Sequence, residues 1–139
     1  MYEHLNPDLL TPGVLDAPAI EAFSRGACGA LALAIHRSTN WPIVAITDHQ
    51  NVFEDGKAGG GSALHWVVQR PDGLLIDVNG AHLINDLIEA YDGDADDGIA
   101  AAGISTEADI VEWYINNQDE PIPIDIADTF VDAVLRNAK

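Results

Sequence analysis

Apolar and polar positions along the chain change period several times, and each change marks an element. Regular structure opens at Asp16, which is placed to cap a helix. Pro18 suits a first turn, Ile20 with Phe23 forms a short apolar stripe, and Gly26 interrupts it. Residues 1–15 hold two prolines, a glycine and scattered apolar side chains, the pattern of an irregular arm packed on the body. The run Cys28-Gly29-Ala30-Leu31-Ala32-Leu33-Ala34-Ile35-His36-Arg37 is apolar almost all the way round, which predicts a central helix buried on every side. His36 and Arg37 suit its negative pole and Asn40 its stop, so Cys28 falls in the first turn.

Residues 41–47 read as a strand, with Pro42 tolerated at the start. The polar stretch 48–62 contains Gly56 and Gly59-Gly60-Gly61 and is too permissive for regular structure; it reads as a loop, either a cover for a reactive centre or a surface linker. Two strand-like runs, 64–69 and 74–79, are joined by Pro71-Asp72-Gly73 and predict a β-hairpin. Residues 81–91 have helical spacing, with Leu83, Leu87 and Ile88 on one face, until the acidic tract 92–98 breaks it. Spacings of three and four predict two further helices, over 106–117 with Ile110, Trp113 and Tyr114, and over 125–137 with Ile126, Phe130, Val134 and Leu135. Pro121-Ile122-Pro123 between them is expected to be extended. The predicted fold is α+β: a central helix carrying Cys28, packed on a small antiparallel sheet, with peripheral helices from the C-terminal third.

Length and composition narrow the class. A chain of 139 residues, 47% hydrophobic and 21% charged, is expected to form one globular domain over 1–139, burying roughly two-thirds of its unfolded surface. Within it, 20–80 would be the core of the site and 81–139 the peripheral helices. With 23 acidic against 6 basic residues the net charge is -17, which repels nucleic acid and anionic membranes. Such a surface serves solubility, or else imitates DNA toward a basic partner. No apolar run approaches the ~20 residues of a bilayer span, and Met1-Tyr2-Glu3-His4 does not open a signal peptide, so a soluble cytoplasmic protein is expected. One cysteine makes no internal disulfide and fits a reducing compartment.

That cysteine is the candidate nucleophile. A thiol attacks a carbonyl as thiolate, and a helix N-terminus supplies unpaired N–H groups and partial positive charge that favour the anion. Gly26 and Gly29 flank Cys28 without side-chain bulk, leaving room for a substrate backbone. His65, opening a strand after the glycine-rich loop, is the candidate general base. Its partner depends on the turn. A three-residue turn with Gly73 left-handed pairs position 70 with 74 and puts His65 opposite Asn79, diagonal to Asp77, all on one face. A two-residue turn, Asp72-Gly73, shifts the register by one and sends Asp77 to the other side of the sheet. In the first case Asp77 would orient the imidazole, with Asn79 as alternative third member.

Rival motifs are weaker. Asp92-Gly93-Asp94-Ala95-Asp96-Asp97-Gly98 resembles the start of a calcium loop but has Asp97 sixth, where glycine belongs, and Gly103 twelfth, where glutamate belongs. His4, His36, His49 and His82 have no ligand spacing with one another or with Cys28, so no metal site is expected. Gly59-Gly60-Gly61-Ser62 lacks the lysine of a phosphate loop.

Taken together, Gly26-Ala27-Cys28-Gly29-Ala30-Leu31, then Leu64-His65-Trp66-Val67-Val68, then Asp72-Gly73 and Asp77-Val78-Asn79-Gly80 resemble the papain-like cysteine peptidase superfamily, in its bacterial, phage and transglutaminase-like branch. The resemblance covers about residues 20–80. It implies a cysteine at the start of a central helix, a histidine on a strand and an Asp or Asn on the next, roles that fall on Cys28, His65 and Asp77, with Asn79 in reserve. It implies peptidase, glutamine deamidase or transglutaminase-like chemistry on a protein or peptide substrate, through a thioester and without a cofactor. The chain departs from papain in lacking Cys-Gly-Ser-Cys-Trp and the preceding oxyanion glutamine, leaving the Cys28 N–H as the one assigned donor. The expectation from a different class is a non-catalytic acidic binding or inhibitor protein, a DNA mimic or a decayed hydrolase scaffold.

Overall fold

Strands that are apolar at nearly every position must be covered on both faces. In this computed structural model, which describes residues 9–24, 27–59, 63–95, 98–118 and 124–138, they are. Five strands, β1 (Ile43–Asp48), β2 (His65–Gln69), β3 (Leu75–Asp77), β4 (Gly80–His82) and β5 (Ala100–Ser105), form one antiparallel sheet in the order β4-β3-β2-β1-β5. Side chains alternate along each strand. Ile43, Ala45, Trp66, Val68 and Ile76 enter one core, and Val44, Ile46, Val67 and Leu75 enter another on the opposite face.

The first core is roofed by α2 (Cys28–Thr39), with α1 (Ala17–Ser24), α4 (Glu107–Gln118), α5 (Ile124–Asp128) and α6 (Val131–Asn137) around it. Every residue of α2 from Cys28 to Ile35 is buried, as its all-round apolar pattern requires. Asn40 ends it in the left-handed conformation, φ 63°, and donates its N–H to the His36 carbonyl at 2.7 Å. At the start of α1, Asp16 Oδ1 accepts the Ala19 N–H. Thr106 and Asp109 cap α4 reciprocally, each side chain accepting the other's backbone N–H. The second core is closed by α3 (Ile84–Tyr91) through Leu87, with Ile84, Ile88 and Tyr91 beside it.

Several elements differ from expectation. The predicted helix over 81–91 begins only at Ile84; residues 80–82 form β4, paired to β3 with Asp77 opposite Gly80. β5 was not predicted, because Ala100-Ala101-Ala102-Gly103 carries no strand propensity and takes extended form by pairing along β1. The helix expected over 125–137 is two, since Thr129 turns its hydroxyl back to the Ile126 carbonyl at 2.7 Å and the chain restarts at Val131. The stretch 48–59 holds a 3-10 turn, His49–Asn51, and then lies along β5: Ala58 N–H donates to the Ile104 carbonyl and Ile104 N–H to the Gly56 carbonyl. It edges the sheet there, and residues 60–62 of the same loop lie outside the described residues. Beyond residue 81 the chain supplies core rather than periphery, with Ile110, Ala127, Phe130 and Val134 all fully buried and Phe130 edge-on to Phe23 at 5.0 Å. Residues 1–8 and Pro121-Ile122-Pro123 lie outside the described residues.

Candidate functional site

The turn after β2 decides where the acid lies. Gly73 has φ +92°, the Gly73 N–H donates to the Arg70 carbonyl at 2.8 Å, and the Arg70 N–H donates to the Leu74 carbonyl at 2.9 Å. This is the three-residue turn with a left-handed glycine. Gln69 accordingly pairs with Leu75 and Val68 with Ile76, which places Val67 opposite Asp77 and His65 one diagonal away. His65 Nε2 donates to Asp77 Oδ2 at 2.9 Å.

Both groups are deeply buried, His65 with 1% exposure and Asp77 with 5%. Burial acts to lower the His65 pKa. Hydrogen bonding with Asp77 and Cys28, and the charges of both, outweigh it and raise the value to about 9. For Asp77 burial acts upward, but the hydrogen bonds and charges of His65 and then His82 hold it below the ordinary carboxylate value. With Nε2 committed to Asp77, Nδ1 is the ring nitrogen left for the thiol. It is sealed from solvent, and the Cys28 thiol is near enough to bear on the charge of the ring. Cys28 itself is 5% exposed, in the first turn of α2, and no acidic side chain in that turn offsets the helix dipole.

Asn79 plays a different part from the expected alternative orienter. Its backbone N–H donates to Asp77 Oδ1 at 2.9 Å, while its side-chain amide donates to Ser24 Oγ at 3.2 Å. Gly29, expected to leave room for substrate, leaves room for the core: a Cβ there would lie 3.0 Å from Trp66 Cε3 and 3.1 Å from both Ile110 Cγ2 and Tyr114 Cε2. The missing side chain lets the first turn of α2, which carries Cys28, settle onto β2 and α4.

Two site residues escaped the sequence reading. His82 Nε2 donates to Asp77 Oδ1 at 2.7 Å. Tyr91 stacks on the His65 ring, with centroids 5.1 Å apart and planes 16° from parallel. Burial, together with the negative charges of Cys28, Asp77 and Asp94, pushes the Tyr91 hydroxyl well above its ordinary pKa, so it stays a neutral donor. The signal for His82 was available in its spacing from Asp77 across a two-residue turn, once Gly80 is placed on a strand. Tyr91 had no such signal, since its position follows from how α3 crosses the sheet.

Among the described residues no group of three His, Cys, Asp or Glu side chains is arranged to hold a metal ion, and no helix is long and apolar enough to cross a membrane. Asp96 and Asp97 of the acidic tract lie outside the described residues. Compared with family models, curated proteins and solved structures, the chain matches none.

Proposed function

We propose that the protein is a cysteine-nucleophile amide hydrolase of papain-like architecture, acting on a protein or peptide through a thioester. The observation that carries the reading is a buried imidazole bonded to a carboxylate at Nε2, with the helix-start thiol of Cys28 close enough to act on its charge. The proton of the Cys28 thiol is held by His65 as imidazolium, and the Sγ thiolate attacks the amide carbonyl carbon. His65 then delivers that proton to the leaving nitrogen as the C–N bond breaks, leaving an acyl group on Cys28. Water, deprotonated by the same nitrogen, attacks the thioester; the acid leaves and the thiol is restored. Asp77 keeps the imidazole in the tautomer whose Nδ1 faces sulfur and stabilises the imidazolium between the two transfers. The backbone N–H of Cys28 is the donor offered to the oxyanion. With Cys28 only 5% exposed, the approach is narrow, and a slim group suits it: an extended peptide backbone or a primary amide side chain. A reactive thiol with no second cysteine to pair with belongs in a reducing compartment, and we place the protein in the cytoplasm.

The net charge of -17 supports a rival reading, an acidic decoy for a nucleic-acid-binding partner. Alkylation separates the two. Near pH 6, Cys28 is expected to react with iodoacetamide at least about tenfold faster than free cysteine, whose thiol is almost wholly protonated there, and His65→Ala is expected to remove the excess. A rate equal to or below that of free cysteine in the wild-type protein overturns the hydrolase reading. The decoy would instead compete with DNA for a basic protein in a salt-sensitive manner.

A further inference from the structure

Asp77 is flanked by histidines on both neighbouring strands, and the two are placed alike. On β2, Val67 is opposite Asp77 and His65 lies diagonal; on β4, Gly80 is opposite Asp77 and His82 lies diagonal, paired with Leu75. Both reach the same carboxylate, His65 at Oδ2 and His82 at Oδ1. Oδ1 also accepts the Asn79 N–H, so a buried acid that could otherwise rotate about its Cβ–Cγ bond is held at both oxygens.

We infer that His82 is a positioning residue for the proposed Cys28–His65–Asp77 set: by holding Oδ1 it fixes the carboxylate plane, and that plane fixes the imidazole whose Nδ1 serves Cys28. The inference rests on the hydrolase reading. The need for a second clamp follows from geometry. His65 is oriented through its hydrogen bond to Asp77 at Nε2, with the Tyr91 ring stacked against one face. A carboxylate free to swing would carry that bond with it, and displacement of a reacting group by about 1 Å can cost on the order of a hundredfold in rate. His82 differs from His65 in being 26% exposed, beside 1%, so it remains in contact with solvent while its partner is sealed. The titratable groups facing Asp77 are His65 from β2, His82 from β4 and Tyr91 from α3, with Cys28 beyond His65.

The test is the pH profile of Cys28 alkylation by iodoacetamide in the intact protein, for wild type, His82→Ala, His82→Gln and His65→Ala. His82→Ala is expected to lower the rate at pH 6 about tenfold and to displace the inflection of the profile. His82→Gln, which keeps a side-chain N–H donor without a titrating ring, is expected to recover most of the rate. A purely structural role would lower the melting temperature but leave the inflection unmoved. If His65→Ala removes the excess reactivity and His82→Ala leaves both rate and inflection unchanged, the inference is overturned while the hydrolase reading stands. If wild type shows no excess reactivity, the hydrolase reading fails and takes the inference with it. Should His82→Ala not fold, imidazole nitrogen shifts in the wild-type protein decide: His65 signals that change in step with those of His82 as pH is varied support coupling through Asp77, and His65 signals that stay flat while those of His82 change overturn it.

Discussion

His65 concentrates the electrostatics of this molecule because a buried ring bonded to a carboxylate also feels a nearby thiol. The consequence is a pH dependence of stability with two limbs. The folded pKa of the imidazole, about 9, lies above its ordinary 6.5. Its stabilisation is therefore complete below pH 6.5 and is lost as pH rises through 9. Asp77 runs the other way: its folded pKa lies below the ordinary 3.8, so its contribution is present above pH 3.8 and is lost as pH falls through the depressed value. The basic limb is worth on the order of 3 kcal/mol, shared among His65, Asp77 and Cys28 rather than counted for each. Melting temperatures measured from pH 3 to pH 10 are expected to hold a plateau from about pH 4 to 6.5 and to decline toward pH 9. In His65→Gln the alkaline decline is expected to shrink markedly; an equal decline in that variant would remove His65 as its source. At this scale Cys28, His65 and Asp77 were legible because each is a chemically conspicuous residue at the edge of a predictable element. His82 was not, since it looked like one more histidine inside a supposed helix.

Two glycines govern how the elements carrying these residues meet. Gly73 takes φ +92° in the hairpin turn, a conformation that costs an ordinary residue roughly 1–2 kcal/mol. Its direction around the sheet is what sets Asp77 on the His65 face. Gly73→Ala is expected to lose about 1 kcal/mol in urea denaturation, with no clash involved because nothing lies near the missing side chain. Gly29 acts through space instead. Alanine is the better helix former by about 1 kcal/mol. Yet its methyl would press on Trp66, Ile110 and Tyr114, all buried in a core with little room to give. Overpacking of this kind costs about 1–3 kcal/mol. Gly29→Ala is therefore expected to lower the urea midpoint, and a raised midpoint would mean that α2 can lift off β2 at no cost. Element reading succeeded where period and propensity agreed, as in α1, α2, β1, the hairpin and α4. It failed for β4, β5 and the break between α5 and α6, where pairing or a single hydroxyl overrode the local pattern.

For the molecule as a whole the governing quantity is charge. A net charge of -17 over a chain of this size repels itself, and that repulsion is screened as ionic strength rises. Raising NaCl from 10 mM to 300 mM is expected to stabilise the fold by about 1 kcal/mol, or roughly 3–5 °C in melting temperature. A melting temperature that falls with salt would show the acidic groups to be paired more completely than the ion pairs of Arg37 and Arg70 among the described residues indicate. Sequence by itself determined the α+β class, the buried helix that begins at Cys28, the hairpin and the two registers open to it, because these follow from side-chain period and turn chemistry within a few residues. Tertiary structure decided which register holds, that an alanine-rich stretch becomes β5, and that His82 and Tyr91 close around Asp77 and His65. Those outcomes depend on contacts between segments far apart in the chain, whose energies outweigh weak local preference and leave no trace in local spacing.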